Sequence, residues 1–553
     1  MCAKLLRHRP ESEQGRLFRM SERFFNRVIE FYGRTLKIVL EYRKITLAVT
    51  VATLVGTILL YVMVPKGFFP VQDTGVILGV SEAPQTVSFA AMAERQQKLV
   101  SIILKDPAVL TVSSFIGIDG TNTTLNSGRI QINLKPIETR GLGASDVIRR
   151  LQSALQGVEG ITLFMQPVQD ITVEDRVSRT QFQYSLEDSD AKELAGWTPR
   201  IVQKLQSLKE LRDVASDMQE GGLQAKLTID RDTASRLGVL PQTIDDTLYD
   251  AFGQRQVSTI FTQLNQYHVI LEVDPLSQVN PDALKEIYVR STAGGQVPLS
   301  AFTQLETQSA PLAINHQGQF PAATLSFNLA PGVSLGDAVT VIDAAEQEIG
   351  MPESIQASFQ GTAQAFRASL VNEPLLILAA LVTVYIVLGV LYESYIHPVT
   401  ILSTLPSAGV GAILALYICR TEFSVIALIG IILLIGIVKK NAIMMIDFAL
   451  EAERKEGKPP LEAIYEACLL RFRPIMMTTM AALLGGFPLA LGTGAGSELR
   501  RPLGITIVGG LILSQLLTLY TTPVVYLYFD FLARRLEGRG AESEGSIAEL
   551  QTP

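Results

Sequence analysis

Two lysines, Lys439 and Lys440, stand side by side in GIVKKNAIMMIDFA (436–449), a stretch otherwise apolar enough to span a membrane. In the apolar run 423–450, Lys440 falls about three residues past the midpoint, roughly 4–5 Å along a helix axis and too deep for easy snorkelling. A charge near the bilayer centre costs at least about 2.5–3.5 kcal/mol, so an intramembrane lysine points to function and calls for an acidic partner. The other apolar runs offer no well-placed acid. Glu373 and Glu393 flank one run at its ends, and Asp447 lies two turns further along the same helix as Lys440. Neighbours on a helix point about 100° apart, so Lys439 and Lys440 cannot both face one partner. Either could instead fill a polar packing role between helices.

A second polar group follows in LLRFRPIMMTTM. Arg471 and Thr478 are seven residues apart and share a helical face, while Pro474 suits the first turn of a span, where no amide donor is missed. Together they could line a proton path from the cytoplasm. The plainer reading makes Arg471 and Arg473 positively charged anchors and Thr478 a helix-contact hydroxyl.

Other chemistries lack support. No GxxxxGK[ST] loop is present to hold a nucleotide phosphate, and the glycines of GTGAGSELRR (492–501) suit a turn. No nucleophile and base stand in a recognisable arrangement, so an enzyme is not expected, and an ion gradient is the expected energy source. His8, His268, His316 and His397 have no metal-ligand spacing, and Cys2, Cys419 and Cys468 are too scattered for a disulfide framework. Neither metal nor cofactor is expected.

The elements that must position these residues are mostly membrane helices. The 553 residues are 48% hydrophobic and 18% charged, too apolar for an ordinary soluble protein. The net charge of −7 carries no dense basic and aromatic patch, so nucleic acid is not an expected partner. Uncharged runs give one span at 45–64 and five more at roughly 374–392, 398–419, 423–450, 474–492 and 502–528. Lys/Arg-rich segments before the first span, between the fourth and fifth, and after the last predict that these lie in the cytoplasm and that 65–373 lies outside. Residues 1–44 are basic and amphipathic rather than signal-peptide-like, and 16–44 read as an interfacial helix on the inner leaflet or as a helix packing on a partner. The outside region reads as α+β. A first βαββαβ unit runs from GVILGVSEA to ITLFMQP, the ferredoxin-like order. A second begins at TQFQYSLED (180–188), continues through a helix to LQAKLTIDR, is interrupted by a β-rich insert at about 253–310, and resumes at AATLSFNLA.

The stretches IVKKNAIMMIDFAL, LLRFRPIMMTTMAALLGGFPL, GTGAGSELRRPLG, VLYESYIHP and VPKGFFPVQDTG resemble the resistance-nodulation-division (RND) multidrug efflux pumps, in the hydrophobe/amphiphile branch, nearest the MdtB/MdtC-type subunits that form heterotrimers. The resemblance covers nearly the whole chain. It implies a membrane α-helical bundle that is the second half, six spans, of a twelve-span fold, with periplasmic porter subdomains and a docking insert. The domains would be a cytoplasmic linker and interfacial helix (1–44), a span (45–64), a porter subdomain (65–170), a second porter subdomain (171–252 and 311–373) around the docking insert (253–310), five spans (374–528) and a cytoplasmic tail (529–553). It also implies proton-driven drug/proton antiport in a Gram-negative inner membrane, tied to antibiotic resistance, in a homo- or heterotrimer with a periplasmic adaptor and an outer-membrane channel. In the family, two aspartates of the other half face the position of Lys440. Arg471 and Thr478 match accompanying proton-relay positions, and Asn441 and Lys439 join them. Phe182, Tyr184 and Leu186, on one face of the QFQYSL strand, match positions that line the drug pocket, or else pack a core. The loop IGIDGTNTTLNSG (116–128) lacks the phenylalanines of the family's switch loop, and a pocket arginine is replaced near Ala215, so bile-salt-like amphiphiles fit as well as drugs. Alternatives are an exporter of another amphiphile class, or a transport-dead scaffold or sensor, which would have no need of Lys440.

Overall fold

The computed structural model describes residues 16–117, 124–173, 178–278, 280–494 and 496–549. The chain opens with α1 (Arg16–Glu41), followed by α2 (Arg43–Met63), the first helix long and apolar enough to cross a membrane. Two apolar stripes run along α1. Tyr32, Leu36 and Leu40, at four-residue spacing, are buried against the helical bundle, while Phe24, Phe31 and Ile38 stay exposed. One face of this helix packs within the chain, and the other remains apolar and open.

The first α+β unit contains β1 (Val76–Glu82), α3 (Phe89–Ile103), β2 (Val109–Ile116), β3 (Ser127–Leu134), α4 (Ala144–Leu155) and β4 (Thr162–Pro167). Its sheet has the order β2-β3-β1-β4, every pair antiparallel. Alternate residues of β3, Ile130, Ile132 and Leu134, turn to the core, where Met92 and Leu99 of α3 and Leu151 of α4 cover them. An ion pair closes the unit. Arg140 Nη2 lies 2.5 Å from Asp73 Oδ1, both side chains buried, and Asp73 Oδ2 accepts from the Ala144 amide (2.8 Å) at the start of α4. Removing one member of a buried pair strands the other's charge, so Arg140→Leu should cost about 3–5 kcal/mol. The expected readout is a lower thermal transition and faster proteolysis within 65–170, and an unchanged transition would contradict the structural role.

The second unit starts with β5 (Phe182–Glu187), α5 (Ala191–Gln206) and β6 (Leu211–Ser216). The chain then leaves through β7 (Gly222–Ile229), α6 (Pro241–Phe252), the hairpin β8 (Arg255–Phe261) and β9 (Gln266–Leu271), β10 (Tyr288–Arg290), β11 (Gln296–Pro298) and β12 (Thr303–Ala310). It returns as β13 (His316–Gln317), β14 (Phe320–Leu329), α7 (Leu335–Ile349) and β15 (Gln356–Gln360). In the sheet, β14 lies between β5 and an edge formed by β6 and β13, and β15 flanks β5. This corrects the sequence reading. LQAKLTIDR, expected in the second unit, is β7, which pairs along its whole length with β12 inside the insert, while the unnoticed LRDVAS supplies the unit's strand. The insert therefore begins near Gly222 rather than 253. Alternation marked 223–231 as a strand but could not say which sheet it joins.

Five further helices complete the bundle: α8 (Gly361–Tyr392), α9 (Ile396–Ile418), α10 (Val425–Glu456), α11 (Pro460–Leu491) and α12 (Ser497–Glu549). The six apolar runs each coincide with a helix, but α8 and α11 begin some 13–14 residues earlier than the apolar count implied. In α11 the extension buries Ala463, Ile464, Ala467 and Cys468 on one side, so an amphipathic helix feeds straight into the span. Pro474 is consequently mid-helix, not in a first turn, and withholds the amide that the Leu470 carbonyl would normally meet. Helix α12 runs against α9, α10 and α11. Close approach depends on glycine: a Cβ at Gly509 would overlap Ala415 of α9, and one at Gly504 would overlap the Ala490 backbone of α11.

Candidate functional site

The site sits at the crossing of α10, α11 and α12. Ser424 caps α10, accepting from the Ala427 amide, and Gly457 ends the helix with φ +66°. The buried stripe of α10 passes through Leu434, Val438, Asn441, Met445 and Ala449, at spacings of three and four. Asn441 is the polar member of that stripe. Its Nδ2 donates to Thr479 Oγ1 of α11 (3.0 Å) and to Gln515 Oε1 of α12 (3.2 Å), and the Thr479 hydroxyl also donates to Gln515 Oε1 (2.7 Å).

Lys440, one residue earlier and about 100° round the helix, is exposed on the side of the bundle, and Lys439 is half-buried. Lys440 forms no hydrogen bond or ion pair with any described residue. Two of the three acids considered from sequence, Glu373 and Asp447, are engaged elsewhere. Glu373 accepts from the Tyr61 hydroxyl (3.1 Å), and Asp447 accepts from Tyr392. Thr478 donates to the carbonyl of Ile475 in its own helix (3.1 Å), and the Arg471 guanidinium lies 3.5 Å over the Phe448 ring, clamping α11 to α10. Arg473 lies 5.4 Å over the Phe25 ring of α1. The chain thus brings Asn441 into a network but does not bond Lys440, Arg471 and Thr478 to one another. Sequence reasoning missed Thr479 and Gln515. Gln515 could have been found as a polar residue in the apolar stretch GGLILSQLLTLY.

A second candidate is a cavity of about 590 Å³ where the two α+β units meet the bundle. Phe68, Phe69 and Phe182 give it an apolar wall, and Arg149, Arg420 and Arg501 bring positive charge. Phe182 reaches it from the end of β5, its ring stacked on Phe327 at 5.7 Å. Tyr184 and Leu186 lie on the same strand face but are enclosed in the core of the second unit, where the Tyr184 hydroxyl donates to Glu346 (2.7 Å). Burial, with that bond to Glu346, pushes the Tyr184 phenol far above its usual range. Of the 116–128 loop, residues 118–123 lie outside the described residues.

Glu422 also lines this cavity. Burial, with Asp337 nearby, raises its carboxyl above the usual carboxylate range. A raised folded-state pKa means that the fold disfavours the ionised form. The penalty is absent below the unfolded pKa and complete above the folded one. Glu422→Gln should therefore raise the melting temperature at pH 8 and leave it unchanged near pH 4, and equal shifts at both would contradict the burial account.

Among the described residues, six helices long and apolar enough to cross a membrane, a large α+β region between the first two, and a buried polar network next to Lys440 are the plan of a polytopic membrane protein. Residues 1–530 match the AcrB/AcrD/AcrF family, and the chain belongs to this RND family. Among solved structures, it is similar to the X-ray crystal structure of a heavy metal efflux pump, crystal form II, with a TM-score of 0.80 and 22% identity over 92% of this chain and 53% of that one. The chain therefore spans about half the length of that pump, and at this identity the likeness concerns the fold.

Proposed function

We propose that this chain is one six-span repeat of a proton-driven exporter in the inner membrane of a Gram-negative cell. The observation that carries the reading is Lys440, presented on the bundle's side with no partner among the described residues. Transporters built from repeats place their coupling sites where the repeats meet, so the carboxylates that face Lys440 belong to a second repeat. Protonation of those carboxylates from the outside removes the charge that holds Lys440, α10 shifts against the second repeat, and the porter units rearrange. Loss of the proton to the inside resets the contact. The energy comes from the proton gradient and the cargo leaves the cell.

The two α+β units are ferredoxin-like periplasmic porter subdomains in this reading, and the insert is the docking subdomain of a homo- or heterotrimer of MdtB/MdtC type. An adaptor and an outer-membrane channel continue the path. The cargo is an amphiphile. The cavity's phenylalanine wall suits an apolar body, and its arginines suit an anionic head such as that of a bile salt. The test is reconstitution of the complete two-repeat transporter in vesicles. Bile-salt export should follow an imposed pH gradient and stop with a protonophore. Export independent of the gradient, or of a metal cation in place of the amphiphile, would overturn the proposal.

A further inference from the structure

We infer that Gln515 is a positioning residue for proton coupling: it locks α10 and α11 to α12 and so aims Lys440 out of the helix seam. This rests on the proton-coupling reading above. The three members of the network are almost fully enclosed, with Asn441, Thr479 and Gln515 exposed by 6%, 4% and 8%. Each comes from a different helix. Gln515 is the point of convergence, because its Oε1 accepts from both of the others while Thr479 Oγ1 accepts from Asn441. Its Nε2 donates to the sulfur of Met476 (3.4 Å), so both ends of the amide are held and its orientation is fixed by its neighbours.

The geometric consequence follows from the chain order. Lys440 immediately precedes Asn441, and Thr478 immediately precedes Thr479. Fixing Asn441 and Thr479 in the seam therefore fixes the rotation of both helices, with the preceding residue of each turned about 100° away. A rotation of α10 that brought Lys440 into the seam would break both bonds of Asn441 and leave polar groups unpaired in an apolar bundle, which hydrogen-bond energetics disfavour. Glycines add to the lock: a Cβ at Gly510, five residues before Gln515, would overlap Leu434 of α10. The network thus makes α10, α11 and α12 one body. When the charge facing Lys440 changes, the whole body moves, instead of one helix turning on its axis.

The experiment uses the complete transporter in vesicles, with bile-salt export and proton flux measured together across external pH. Gln515→Leu, similar in bulk but without hydrogen bonds, should lower turnover by about tenfold or more with the KM for bile salt unchanged. It should also flatten the pH profile and let protons leak without export. Thr479→Val should act in the same direction, and Thr479→Ser, which keeps the hydroxyl, should behave as the unmodified protein. A purely structural role would lower the amount of folded protein but would not move the proton-to-substrate ratio of what remains. If Gln515→Leu does not assemble, the Thr479→Val and Thr479→Ser pair decides. Unmodified turnover, ratio and pH profile in Thr479→Val and in any assembled Gln515→Leu, with Lys440→Ala inactive, overturn the inference and leave the proton-coupling reading standing. An active Lys440→Ala overturns that reading itself.

Discussion

Lys440→Ala should abolish gradient-driven export by the complete transporter, by about a hundredfold or more, while the protein still inserts and assembles. The two halves of this expectation have separate causes. Insertion survives because Lys440 contributes no bond to any described residue, and replacing it removes a charge that costs at least about 2.5–3.5 kcal/mol near the bilayer centre. Export fails because alanine cannot respond to the protonation of a facing carboxylate. The bundle would then lose the difference in interaction between the two protonation states, and a ligand or proton that interacts equally with both conformations shifts neither. Lys439→Ala should be milder, since Lys439 is half-buried and points elsewhere on the helix. The measurement is export and proton flux side by side, with size-exclusion chromatography of the same preparation. Retained export in Lys440→Ala would remove the central support for coupling through this residue.

Gly504→Leu should prevent α12 from seating on α11, at a cost of at least about 3 kcal/mol, the upper end of ordinary overpacking. The side chain would be driven into the backbone of Ala490 and Leu489, which has no rotamer with which to yield. Gly485, on α11, makes the control. A Cβ there meets nothing within 4 Å, so Gly485→Ala should be neutral or stabilising by up to about 0.5–1 kcal/mol. Thermal unfolding in detergent should separate the two clearly. A normal transition for Gly504→Leu would mean that the α11–α12 contact yields without cost, contrary to its geometry.

The spans were legible because a run of about 20 apolar residues leaves a polypeptide few alternatives. The strands of the first α+β unit were legible from local alternation, as in RIQINLKP, whose isoleucines face the core. Pairing was not. LQAKLTIDR carries the pattern of a strand, yet its partner β12 lies some 80 residues on, and nothing local separates that choice from the sheet of the second unit. The site was half legible for a related reason. Lys440 and Asn441 stand out in an apolar run, whereas the meeting of Asn441, Thr479 and Gln515 depends on the relative rotation of three helices, which small residues such as Gly504 and Gly509 set. Tyr184 shows the converse. Its strand face is right for a pocket, but helix α7 covers that position, and only Phe182, at the strand's end, reaches the cavity.

The packing of α1 has a bearing on how the protein is made. The Tyr32 hydroxyl donates to the carbonyl of Leu519 (2.7 Å), and its ring stacks on Phe472 at 4.8 Å, so the buried stripe of α1 docks on segments synthesised more than 400 residues later. At roughly 5–20 residues per second, α1 waits about 20–100 s before its docking surface exists. Its second stripe, Phe24, Phe31 and Ile38, is exposed in the folded chain and so takes no part in that docking. Docking of α1 is then completed only when the last helix is home, and premature termination before α12 would leave the first helix held by α11 without the Tyr32–Leu519 bond, and more open to proteolysis.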